Sequence, residues 1–182
     1  LAGELPVILT FNYANCPQLC NLQLDALVGT LNSIPLLMGK DFRMVSISVD
    51  PQETPESFGA FRNRLLQGYN QEIIPSAWQF LVGEESAIQS VAKAAGFGYG
   101  FDPKREEFAH SAALILLGKD RTISRYLGGV SYEPQTSRLS LIESSKGAAG
   151  SLFDQAFLTC FYYDPDSNSY APVALAFTRI GA

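Results

Sequence analysis

The sequence predicts an α/β protein with a central mixed sheet flanked by helices, and three observations predict it. Short runs rich in Val, Ile, Leu and Phe alternate with stretches whose apolar residues recur at helical spacing. In the first half that alternation runs strand, helix, strand, helix, strand, helix, the order that builds parallel βαβ units. Two further apolar runs then flank Gly118-Lys-Asp-Arg121 as a hairpin, and a helix follows them.

Residues 5–13 form the first expected strand, rich in Val, Ile, Leu and Phe. Asn15 is placed to cap the next helix, and Pro17 falls in the first turn, where proline is tolerated. Leu19, Leu22, Leu24, Leu27, Val28 and Leu31 carry that helix to Ser33, and Pro35 stops it. Residues 42–49 form the second strand. Asp50-Pro-Gln-Glu-Thr54-Pro55 turns into a helix over residues 55–68, with Phe58, Phe61, Leu65 and Leu66 on its apolar face. A short strand covers residues 78–82. A helix of strong formers covers residues 84–95, closed by Gly96.

Residues 98–107 are rich in glycine and charge and read as a loop. His110 is expected to open the strand His110-Ser-Ala-Ala-Leu-Ile-Leu-Leu117, which pairs with residues 122–127. A last helix covers residues 134–145. A parallel βαβ half followed by a hairpin and a helix is the thioredoxin-like arrangement, assigned here to residues 1–146.

Residues 147–182 form a linker and a C-terminal aromatic extension. Lys146-Gly-Ala-Ala-Gly-Ser151 is the flexible connection. Beyond it, Phe153, Phe157, Phe161, Tyr162, Tyr163, Tyr170 and Phe177 are too apolar for a solvated leash. The extension is expected to pack on the domain, on a partner or near a membrane surface, with Asp164-Pro-Asp-Ser-Asn-Ser169 as a turn between two strands. Cys160 alternates with Phe157, Thr159 and Phe161 and is expected to be a buried apolar thiol, not a metal ligand.

Composition narrows the function. A chain of 182 residues, 47% hydrophobic and 17% charged, can bury a core as one domain. A formal net charge of −5 disfavours nonspecific nucleic-acid binding. No apolar run reaches the roughly 20 residues of a membrane span. No signal peptide precedes the first strand, so a targeting segment or anchor is expected to have been removed or to lie outside this chain.

The chemistry concentrates in Cys16-Pro-Gln-Leu-Cys20 and His110. They hold two of the three cysteines and the only histidine. Positions four apart on a helix share a face, with Cβ atoms roughly 5–6 Å apart, so both sulfurs can converge on one metal. A disulfide would need local unwinding, since its Cβ atoms lie ~3.8 Å apart. At a helix N-terminus Cys16 is favoured as a thiolate, ready either to bind metal or to attack a disulfide. Buried structural cysteines are the plainer alternative. Two thiolates and one imidazole suit copper, Cu(I) above all, and one ion per chain; zinc would want a fourth protein ligand for a closed site. The His110 ring is expected at a strand end near the surface.

Phe11-Asn-Tyr-Ala-Asn-Cys16-Pro-Gln-Leu-Cys20, Ser46-Ile-Ser-Val-Asp50-Pro-Gln-Glu-Thr54-Pro55 and His110-Ser111 before an apolar strand resemble the Sco/SenC/PrrC proteins. These are thioredoxin-fold copper proteins that help assemble the copper A centre of cytochrome c oxidase. The resemblance covers residues 5–145. It implies that Cys16, Cys20 and His110 are the copper ligands, and that the chain is a metallochaperone for the copper A subunit of cytochrome c oxidase or another respiratory complex. It also implies a location at the periplasmic face of a bacterial inner membrane, held by an anchor this chain lacks, with the mitochondrial intermembrane space as second choice. Asn21 stands where the family usually has proline, Glu53 where aspartate is usual, and Ala109 where an acid is frequent. The missing acid affects how the histidine is oriented. The family's preceding β-hairpin is absent, so the chain reads as a fragment or a processed form.

Two alternatives stay open. Cys16 could attack and Cys20 resolve in a thiol–disulfide reductase that keeps copper-site cysteines reduced, although dedicated dithiol enzymes usually space their cysteines more closely. The chain could also serve as an assembly or docking subunit of a membrane respiratory complex. Asp50, Glu53 and Glu56 are read as a helix N-terminus and not as a hard-metal site. Gly96-Phe-Gly-Tyr-Gly100 follows a helix end and is not a phosphate loop. Tyr13, Tyr99 and Phe101 are candidates to shield the metal, and Asp102 a candidate to face it. A Ser-His-Asp hydrolase is disfavoured, since no nucleophile elbow is present.

Overall fold

A computed structural model describes residues 5–17, 19–145, 161–164 and 169–172. At its centre is a five-stranded sheet. Three strands, β1 (Val7–Asn12), β2 (Arg43–Ser48) and β3 (Trp78–Leu81), run parallel. The helices α1 (Leu19–Asn32) and α2 (Pro55–Gln67) cross over between them, and α3 (Glu85–Ala94) follows β3. Next come a small hairpin, β4 (Tyr99–Asp102) with β5 (Glu107–His110), then β6 (Ala113–Leu117), β7 (Ile123–Gly128) and α4 (Pro134–Ser145). The sheet order is β3-β2-β1-β6-β7, with β6 antiparallel to both neighbours. The expected thioredoxin-like fold is present.

β1 is central and buried at every position, which is why it reads as an unbroken apolar run and not as an alternation. Leu24, Leu27 and Leu31 of α1 are almost fully buried, joined by Phe11, Phe42, Phe58 and Met44. Each such side chain contributes about 1.5–3 kcal/mol on burial. Several polar residues inside the sheet are paired with one another. Thr10 and Ser46 hydroxyls share a 2.8 Å hydrogen bond across β1 and β2, and the Trp78 indole N–H donates to Ser46 Oγ at 3.0 Å. Thr54 caps α2 by accepting from Ser57 N–H at 3.2 Å, and Pro55 follows as its first residue. Gly96, at φ +63, ends α3 in the left-handed conformation expected of such a glycine.

Three expectations need correction. α1 begins at Leu19, so Asn15 and Pro17 lie in the preceding turn and Asn15 does not cap it. Residues 98–107 are not a loop: Tyr99 pairs with His110, Gly100 with Ala109 and Phe101 with Phe108 in the β4–β5 hairpin. Its glycines and charges were misleading because a hairpin this short is half turn. His110 therefore closes β5 and does not open β6; Ser111 and Ala112 separate the two.

A second hairpin, β8 (Phe161–Asp164) with β9 (Ser169–Pro172), matches the two strands expected around the 164–169 turn. The linker at residues 146–151 and Cys160 lie outside the described residues. No helix among the described residues is long and apolar enough to cross a membrane.

Candidate metal centre

The site forms at the C-terminal end of β1, where the chain turns into α1. β6 runs antiparallel to β1 in the register Leu9↔Ile115, so the start of β6 lies beside the end of β1. The hairpin that leads into β6 thereby delivers His110 next to the turn carrying Cys16. The result is one cluster of Cys16, Cys20 and His110, all buried, whose donor atoms lie within 4.8 Å of one another. It is the only such group of three or more among the described residues.

The sulfurs converge by a different route from the one expected. Cys20 sits in the first turn of α1, but Cys16 precedes the helix. The Cys20 N–H donates to Cys16 Sγ at 3.2 Å, so the sulfur occupies the place of a helix cap and accepts an otherwise unpaired donor. A thiolate is favoured there by that bond and by the helix dipole. Cys16 and Cys20 are not joined in a disulfide.

His110 Nδ1 lies 3.0 Å from the carbonyl oxygen of Ser111. A carbonyl only accepts, so Nδ1 carries the proton and Nε2 is left with its lone pair. Nε2 faces Cys20 Sγ at 3.4 Å. The hydrogen bond selects, for the neutral ring, the tautomer whose Nε2 can ligate a metal. The ring is only 3% exposed, packed against Tyr13 at 6.2 Å and Phe97 at 6.0 Å between centroids. The expectation of a near-surface ring is thus wrong: the β4–β5 hairpin and Phe97 cover it.

The Cys20 thiol is pushed far above its ordinary value, first by its hydrogen bond with Cys16, then by burial and the Cys16 charge. Burial, followed by the Cys16 charge, likewise raises Tyr13. Two thiolates this close repel each other, so the metal-free pair keeps a proton. A cation removes the reason for keeping it. Bonds of about 2.0–2.3 Å to a central ion leave trigonal donors about 3.5–4 Å apart, close to the present spacing. The donor set therefore fits one soft ion.

Glu53 was read as part of a helix N-terminus; its Oε2 instead accepts from the Ala14 N–H at 2.7 Å, tying the second motif to the turn before Cys16. Asp50 accepts from Gln52 N–H at 2.8 Å, and Glu56 does lie in the first turn of α2. Asp102 does not face the metal cluster: its carboxylate accepts from Lys104 N–H at 2.9 Å and lies 3.8 Å from Arg105. Tyr13 shields the site, but Phe101 is 54% exposed and does not. Two residues were overlooked. Asn12, at the end of β1, lies beside Cys20 and donates to Gln23 Oε1 at 3.3 Å, and both Asn12 and Gln23 are buried. A polar residue ending an apolar strand was the available signal.

A thioredoxin-like domain with a buried two-cysteine, one-histidine cluster defines a class of soft-metal thiol proteins. The SCO1/SenC family model matches residues 1–142, and the chain belongs to that family. Among solved structures, it is similar to a protein of Aquifex aeolicus VF5, at 22% identity over 81% of this chain and 82% of that one, TM-score 0.69. A SCO1/SenC family lipoprotein from Bacillus anthracis aligns at 19% identity over 80% and 82%, TM-score 0.62. ScoI of Arabidopsis thaliana, solved with copper bound, aligns at 22% identity over 80% and 87%, TM-score 0.61. These likenesses are of fold. No curated protein matches the chain.

Proposed function

We propose that this chain is a copper metallochaperone that holds one copper through Cys16, Cys20 and His110. It delivers that ion to the copper A centre of cytochrome c oxidase during assembly. The observation that carries the reading is the convergence of two sulfurs and an imidazole lone pair within 4.8 Å. Two thiolates and a neutral imidazole suit Cu(I), and the same set accepts Cu(II). The copper-bound Arabidopsis relative and the family membership support it. Transfer proceeds by ligand exchange: an incoming donor binds copper as a protein ligand leaves, and the proton lost on loading returns to Cys20. We place the chain at the periplasmic face of a bacterial inner membrane; that the Bacillus anthracis relative is a lipoprotein supports the membrane association.

Cu(I) titration of the reduced chain against a competing chelator tests the site. It saturates near one equivalent, and Cys16→Ser or Cys20→Ser weakens it; unchanged affinity in either rejects the assignment. Cu(II) adds an intense sulfur-to-copper charge-transfer band that both variants lose. Incubating the loaded chain with an apo copper A domain tests delivery, read as growth of the copper A absorption.

A second reading rests on the thiolate-stabilising contact at Cys16. Cys16 attacks a substrate disulfide, forming a mixed disulfide and expelling one substrate thiolate. Cys20 then attacks Cys16, releasing the second thiolate and leaving Cys16–Cys20 oxidised. Rapid turnover of a disulfide substrate by metal-free protein favours this reading. A purely docking subunit would do neither.

A further inference from the structure

Beside the metal cluster, on the far side of Tyr13, lies an open groove of about 500 Å³ between the turn after β2 and the β4–β5 hairpin. Its walls are aromatic: Tyr13 and Phe108 pack edge to face at 5.5 Å, and Phe101 meets Phe108 at 5.1 Å. Three carboxylates, Asp50, Glu85 and Glu106, also line it, and no lysine or arginine does. None of the three is in an ion pair among the described residues. Glu106 is held at φ +57 by the hairpin turn, a conformation uncommon outside glycine. Tyr99, which also lines the groove, has its Oη buried with no hydrogen-bond partner. Phe101 leaves a large apolar surface exposed at the rim.

We propose that this groove docks a basic segment of the copper recipient, seating an arginine or lysine side chain among Glu85, Glu106 and the faces of Phe101 and Phe108. The inference rests on the metal-transfer reading above. Aromatic faces attract a cation, and more strongly where it is partly desolvated. Carboxylates outside the described ion pairs supply the complementary charge, Glu85 while also accepting from the Gln89 side-chain amide at 2.9 Å, and the net charge of −5 steers a basic partner toward the chain. Because Tyr13 lines the groove and packs on His110, a segment held there lies one side chain away from the cluster.

The test uses the full chain and two capped peptides, identical except that one carries arginine where the other carries citrulline, its uncharged near-isostere. The arginine peptide is expected to bind at least about tenfold more tightly, perturbing the NMR signals of Tyr99, Phe101 and Phe108. The Glu85→Gln/Glu106→Gln variant is expected to lose that preference while still taking one Cu(I). Equal binding of the two peptides, an undiminished preference in the variant, or perturbations elsewhere on the surface would overturn the groove assignment. A chain that takes copper but does not discriminate keeps the metal reading and loses the groove. A chain that discriminates but takes no copper loses the metal reading and the identity of the recipient, and keeps a cation-binding groove.

Discussion

Glu53 Oε2 accepts a 2.7 Å hydrogen bond from the backbone N–H of Ala14, joining the turn after β2 to the turn that carries Cys16. A charge-assisted bond of this kind holds the cysteine turn against the helix without touching the metal. Glu53→Ala is expected to weaken Cu(I) about 10- to 100-fold, the usual cost of losing an outer support. Glu53→Gln keeps an acceptor and falls between the two. Chelator competition measures the affinity, and a parental value for Glu53→Ala removes the positioning role.

His110 is the proposed imidazole ligand and also a buried core residue, so its removal has two expected consequences. His110→Ala is expected to abolish tight copper binding and to cost about 1–3 kcal/mol of metal-free stability, because the ring is buried between Tyr13 and Phe97. His110→Phe refills the space without a donor. It is expected to stay nearer parental stability in urea denaturation while binding copper as poorly as the alanine variant. Retained tight binding in His110→Phe would remove the imidazole from the site.

The fold and the three converging residues were legible in the sequence because each left a local signal. β1 announced itself by an unbroken apolar run, α2 by Thr54-Pro55, and α4 by its position after the 118–121 turn. What escaped was set by distant contacts. The β4–β5 hairpin has only four residues per strand and shows little alternation. The burial of His110 depends on Phe97, and the job of Glu53 depends on a backbone amide on another turn. The start of α1 was misplaced because a cysteine sulfur, not Asn15, takes up the free N–H.

Copper and a Cys16–Cys20 disulfide are expected to exclude each other, since both need the same two sulfurs. Oxidising the pair abolishes copper uptake until a reductant is added. Copper retained after verified Cys16–Cys20 oxidation would contradict a shared site.

Asn12 and Gln23 support the core beneath Cys20. Their single hydrogen bond leaves Asn12 Oδ1 and Gln23 Nε2 buried without partners. Gln23→Leu removes the acceptor of the Asn12 side-chain amide and is expected to cost about 1–3 kcal/mol. Adding Asn12→Leu removes the stranded group, so the double variant loses less than the sum of the singles. Urea unfolding of all four proteins measures the coupling; strict additivity would show that the pair does not interact.

The stability of the reduced, metal-free chain is expected to fall as pH rises. Cys20 and Tyr132 are both raised in the folded state: Cys20 first by its hydrogen bond with Cys16, Tyr132 by burial, which pushes it up to about 12. Above the unfolded pKa the native chain holds the proton that the unfolded chain has lost, so ν_U − ν_N is negative and stability declines with pH. For Cys20 that decline starts near the free thiol value of about 8.5, and for Tyr132 it runs from about 10 to about 12. Each group removes about 1.4 kcal/mol per pH unit within its window. Copper affinity carries the opposite sign, rising with pH because loading displaces the Cys20 proton. Urea midpoints taken at stepped pH under reductant and chelator check the first trend, with Cys20→Ser flattening the part from pH 8 to 10 and Tyr132→Phe making the part above pH 10 less steep. A midpoint that holds level from pH 8 to 10 in the parent would show that Cys20 is not held protonated by the fold.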